Sequence, residues 1–103
     1  MVKAQLGDYW VKPDVTSVPA GKVTVDATNT GQVPHELMIE RMPIKMDGPG
    51  RPNEDAAQGM IEDMGPGQSG HMTLNLKPGP YMLFCNLPGH YAMGQHTRFQ
   101  VTG

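Results

Sequence analysis

Tyr81-Met82-Leu83-Phe84-Cys85-Asn86-Leu87-Pro88-Gly89-His90-Tyr91-Ala92-Met93-Gly94-Gln95 is the stretch on which the reading of this chain turns. Apolar and aromatic residues run into a cysteine, as in a strand that ends there. Pro88-Gly89 makes a turn, and His90 follows five residues after the sulfur. Gln95 lies five residues further on, with Met93 between them. Far upstream, Pro34-His35-Glu36-Leu37 puts a second histidine at the start of another extended run. Cys85 is the only cysteine, so an intramolecular disulfide and a dinuclear site bridged by two thiolates are both ruled out. A lone cysteine is a small buried hydrophobe, a nucleophile or a metal ligand, and its neighbours decide which.

The rest of the chain is punctuated like a β-sandwich: 13 glycines and 10 prolines cut it into short pieces. Val2, Ala4 and Leu6 alternate with polar residues, and Tyr9-Trp10-Val11 continues the extended run, with Trp10 assigned to the core. Pro19-Ala20-Gly21 is a turn before the β-branched, alternating run Val23 to Asn29. Asn29-Thr30-Gly31 turns again, and Leu37 to Glu40 reads as the next strand. From Pro43 to Gly70 the alternation breaks, which predicts a long surface excursion. Within it, Asn53-Glu54-Asp55-Ala56-Ala57 is spaced to cap and start a short helix running to about Met64. Period two resumes at His71 to Leu76, where Met72, Leu74 and Leu76 share a face. Lys77-Pro78-Gly79 turns, Tyr81 to Cys85 is a strand, and Thr97 to Val101 closes the sheet. The expectation is one all-β domain over residues 1–103.

A net charge of −2 without long runs of either sign excludes the basic stripe that nucleic-acid binding needs. No segment approaches the ~20 apolar residues of a membrane-spanning helix. Met1-Val2-Lys3 leads straight into a strand-like pattern, which fits either a cytosolic protein or a mature form with a start methionine added; the expectation is a mature periplasmic or extracytoplasmic form. The acidic residues show no paired-carboxylate logic for acid–base catalysis, and nothing supplies an oxyanion site for a Cys–His hydrolase. No His-x-His pair of the kind multicopper oxidases need occurs. The expectation is therefore that the protein is not an enzyme.

Two imidazoles, one thiolate and a weak fourth donor form the ligand set of a mononuclear copper electron-transfer centre. Thiolate favours Cu(I), and imidazole accepts both oxidation states. Donors gathered on one short loop, with one more from a distant strand, fix the geometry in advance and keep reorganisation small.

Cys85-x4-His90-x4-Gln95, with Asn29-x-Gly31-x3-His35-Glu36-Leu37 upstream, resembles the plastocyanin/azurin family of cupredoxins over nearly the whole chain. The resemblance implies a Greek-key β-sandwich binding one copper ion near one end, with His35, Cys85 and His90 as ligands. The family pattern ends Gly-His-x-x-x-Gly-Met, whereas this chain has Gly89-His90-Tyr91-Ala92-Met93-Gly94-Gln95. Glutamine thus falls on the axial position, as in the stellacyanin branch, and an oxygen donor there favours Cu(II). Met93 is the alternative axial donor, on a shorter loop.

The implied function is shuttling of single electrons by a monomer, with redox partner proteins docking near His90. Pro34, Leu87, Pro88 and Met93 would form an apolar collar around it. The alternative is a copper-binding protein for copper transfer or resistance, using the pairs Met42/Met46 and Met60/Met64. Packing is the favoured role for those four, as it is for Met72 and Met82. His71 and His96 are assigned to the surface, Glu36 to a rim charge, and Asn86 to a hydrogen bond across to the His35 loop.

Overall fold

Alternation becomes strand almost wherever the sequence displays it. The computed structural model describes residues 1–103 and contains eleven strands and one turn of 3-10 helix. They are β1 (Val2–Gly7), β2 (Trp10–Pro13), β3 (Ser17–Pro19), β4 (Gly21–Asn29), β5 (His35–Arg41), β6 (Met46–Gly48), β7 (Arg51–Pro52), β8 (Gly59–Met64), β9 (Ser69–Leu76), β10 (Gly79–Phe84) and β11 (His96–Thr102). One sheet has the order β2-β1-β4-β9 and the other β3-β11-β10-β5-β8, while β6 and β7 form a separate ribbon. Pairing is antiparallel except for β1 with β4 and β11 with β3. This is the expected all-β sandwich.

The core lies where the two inner faces meet. Val2, Leu6, Val25 and Ala27 come from the first sheet, and Leu37, Ile39, Leu83 and Val101 from the second. Burying each Leu, Ile or Val contributes roughly 1.5–3 kcal/mol before conformational entropy is subtracted. The opposite face of the second sheet carries a smaller cluster of Met38, Met82 and Phe84, covered by Met42, Ile44, Ala57 and Tyr91. The excursion therefore packs on the sandwich and roofs this second cluster.

Three sequence expectations change here. Asn53 does cap, its side chain accepting from the Asp55 N–H at 2.8 Å, but only a single 3-10 turn follows, Glu54–Ala56. The chain then becomes β8, because Ile61 and Met64 gain the main core by pairing with β5. That long-range gain outweighs a weak local helix preference. Trp10 is half-buried rather than core: its indole lies over Gly7, where any Cβ would collide with the ring, and Lys12 stacks on it at 5.0 Å. Glu36 is not a rim charge but is buried within β5, next to His35.

Candidate metal centre

The loop after β10 is knit by its own backbone. The Cys85 N–H donates to the Gln95 carbonyl at 3.1 Å, closing the loop at its neck. His90 N–H donates to Leu87 O at 3.0 Å, and Gln95 N–H to His90 O at 3.1 Å. Gly89 and Gly94 have φ of 82° and 108°, a region that residues with a Cβ seldom enter. Their glycines let a loop this short turn His90 and Gln95 back toward the sulfur.

His35 arrives from the other side. Asn29 is buried, and its amide donates to Val33 O and Met64 O, both at 2.9 Å, while its oxygen accepts from Gly31 N–H at 2.8 Å. This latch shapes the loop that delivers His35. A register irregularity against β8 between His35 and Leu37 then re-aims the strand.

The result brings all four sequence-assigned donors together. His35, Cys85 and His90 present donor atoms within 4.8 Å of one another, an arrangement that can hold a metal ion. His35 Nδ1 is 3.2 Å from His90 Nδ1, Cys85 Sγ 3.4 Å from the same nitrogen, and Gln95 Oε1 3.1 Å from it. Such separations suit donors sharing one ion with bonds of ~2.0–2.3 Å to nitrogen, oxygen and sulfur. Gln95 is fully buried, whereas Met93 is 60% exposed, so the rival fourth donor faces solvent.

Orientation is fixed atom by atom. The Gln95 amide nitrogen donates to Gly7 O at 2.9 Å and Trp10 O at 3.3 Å, which turns Oε1 toward His90. Asp8 Oδ1 lies 2.9 Å from His35 Nε2. A carboxylate only accepts, so Nε2 carries the proton and Nδ1 presents its lone pair to the site. The Glu36 N–H donates to Cys85 Sγ at 3.4 Å. Asp8 and the two turn carbonyls went unnoticed in the sequence, where nothing in their spacing from His35 or Gln95 distinguishes them.

Burial disfavours the charged forms of two of the donors, Cys85 and His90. Burial pushes the Cys85 thiol up, and the N–H groups of Glu36 and Leu87 pull it partly back, so a metal binding there displaces a proton. Burial also lowers His90, helped by the neighbouring His35, so its imidazole is neutral near pH 7. The hydrogen bond to His35, then the Gln32 N–H, holds the Asp8 carboxyl below its ordinary value. Burial raises Glu36, with Glu54 and Glu62 adding to the effect.

Other assigned residues sort by position. The Asn86 side chain donates to Pro52 O at 3.0 Å and ties the loop to β7, because the excursion folds over that side; toward the His35 strand it is the Asn86 backbone N–H, not the side chain, that acts, on the Glu36 carboxyl. Met64 and Met72 are core and Met82 belongs to the smaller cluster, while Met46 and Met60 are exposed. His71 and His96 are exposed, and His96 stacks on Tyr91 with ring centroids 4.4 Å apart. Pro34, Pro88 and Met93 are exposed, and Leu87 and His90 are half-buried.

No protein-family model and no curated relative matches the sequence. Solved structures do. A dithionite-reduced auracyanin from the photosynthetic bacterium Roseiflexus castenholzii is 24% identical with a TM-score of 0.75, over 98% of this chain and 95% of that one. Auracyanin B is 22% identical with a TM-score of 0.80, over 99% and 88%. Rusticyanin from Thiobacillus ferrooxidans is 19% identical with a TM-score of 0.80, over 98% and 75%. The fold of the chain is the cupredoxin fold.

Proposed function

We propose that this cupredoxin-fold chain, a single domain over residues 1–103, is a mononuclear copper protein that passes single electrons. His35, Cys85 and His90 are the proposed strong ligands and Gln95 the axial one. The observation that carries the proposal is the convergence of one sulfur and two imidazole nitrogens within 4.8 Å, two of these donors on a loop closed at its neck and the third, His35, from β5. Copper bound there supplies a one-electron couple that thiolate and imidazole can hold in both oxidation states.

The chain's own residues do the rest. The Cys85–Gln95 neck and the Asn29 latch hold the donors from two directions, so little needs to move when charge changes. The Glu36 N–H favours the thiolate form of Cys85. His90 is only half-buried, with Leu87, Pro88 and Met93 on the same loop, and is the proposed exit for the electron; a small apolar rim there suits brief docking of a redox partner. The chain has no helix long and apolar enough to cross a membrane. A periplasmic or extracytoplasmic monomer that is not an enzyme completes the proposal.

The test is Cu(II) titration of the purified chain, followed by visible absorption and EPR. One equivalent should produce an intense thiolate-to-copper charge-transfer band. A colourless complex sinks the proposal.

The exposure of Met46 and Met60 favours a second reading, copper transfer or resistance. Replacing Met42, Met46, Met60 and Met64 together by leucine separates the two. The swaps nearly conserve volume, and each should cost below about 1.5 kcal/mol. The electron-transfer reading expects an unchanged blue centre and unchanged copper stoichiometry. Disappearance of a second Cu(I) equivalent in a parallel Cu(I) titration would favour transfer.

A further inference from the structure

We propose that the Gly7–Trp10 turn is the positioning element of this centre, orienting three of its four donors and biasing bound copper toward Cu(II). This rests on the copper reading above. The turn is a two-residue connection, Asp8-Tyr9, between β1 and β2, closed by the Gly7–Trp10 pair. Tight hairpins of this length favour glycine or asparagine at left-handed positions. Here Tyr9 occupies such a position, with φ of 75°. Such a conformation persists in a residue with a Cβ only where the surrounding structure holds it.

Each residue of the turn meets the centre differently. Asp8 hydrogen-bonds His35 Nε2 at 2.9 Å and accepts from the Gln32 N–H at 3.0 Å, so it grips both the imidazole and the loop delivering it. Gly31 makes room for this grip: a Cβ there would collide with Asp8 Oδ1. Gly7 and Trp10 lend their carbonyls to the Gln95 amide. The Tyr9 ring stands edge-on to His90 with centroids 5.2 Å apart, and to His35 at 6.4 Å. Cys85 alone is held from elsewhere, by the Glu36 N–H and its own strand.

The chemistry of these contacts points one way. A carboxylate on the far nitrogen fixes the tautomer and makes Nδ1 a stronger donor. Its negative charge beside the centre stabilises the more highly charged ion. Locking the glutamine so that oxygen faces inward adds a hard donor, which also favours Cu(II).

Asp8→Ala and Asp8→Asn in the full chain test this. Before copper is added, nitrogen NMR of the His35 ring should report a single Nε2–H tautomer in the wild type. Asp8→Asn should keep it, since an amide oxygen can accept the same bond, and Asp8→Ala should lose it. With copper, Asp8→Ala should bind Cu(II) about 10- to 100-fold more weakly, and both variants should have raised reduction potentials. An unchanged His35 tautomer in Asp8→Ala, or an unshifted potential in Asp8→Asn, overturns the proposal. If Asp8→Ala does not fold, the potential of Asp8→Asn decides alone. A wild type that never colours with Cu(II) fails the copper reading, while the tautomer measurement still judges the turn.

Discussion

Cys85→Ser is expected to abolish the visible charge-transfer band completely. The band requires a thiolate on copper, and Cys85 is the only cysteine in the chain. Its sulfur is fully buried at the end of β10, 3.4 Å from both the Glu36 N–H and His90 Nδ1. A serine hydroxyl is shorter and harder and stays protonated near pH 7, so it cannot replace the soft donor. It can still accept from the Glu36 N–H, so the sandwich should survive, and circular dichroism with thermal unfolding would establish that. Copper held by the remaining imidazoles should be pale and bound more weakly. Persistence of the blue colour in this variant would mean that sulfur is not a ligand and that the assignment of the centre is wrong.

Gln95→Met is expected to raise the reduction potential and to move the EPR spectrum toward a more axial form. A thioether stabilises Cu(I) better than an amide oxygen does, and the axial donor acts on both the potential and the geometry around the sulfur. The position can receive a side chain of similar size, since Gln95 is fully buried and already aimed at His90. The swap also removes the amide N–H bonds to Gly7 O and Trp10 O, so some loosening of the loop from the β1–β2 turn should accompany the shift. Met93→Leu, by contrast, should leave potential and spectrum nearly unchanged, because Met93 is 60% exposed. Voltammetry on the two variants decides. A strong shift in Met93→Leu with none in Gln95→Met would assign the fourth donor to the shorter loop.

What the sequence determined by itself is local and periodic. Period-two apolar runs located the strands at both ends of the chain, since alternation and one buried face are the same fact in a sheet. The spacing from Cys85 through Pro88-Gly89 and His90 to Gln95 is likewise local: glycines at φ of 82° and 108° bend a short loop whose ends are neighbours in the sheet. His35 was legible because its own strand begins with it. Tertiary structure decided whatever depends on a partner distant in sequence. Ile61 and Met64 became strand instead of helix because β5 offered an edge and the core a place. Glu36 is buried and Asn86 bonds Pro52 because the excursion folds over them, which no residue near them announces. Asp8 grips His35 across 27 positions, and Gln95 bonds Gly7 across 88. A carboxylate or a carbonyl carries no local mark of the imidazole or amide it will meet. Only the packing of two sheets brings the β1–β2 turn over the loop and gives those common groups their role.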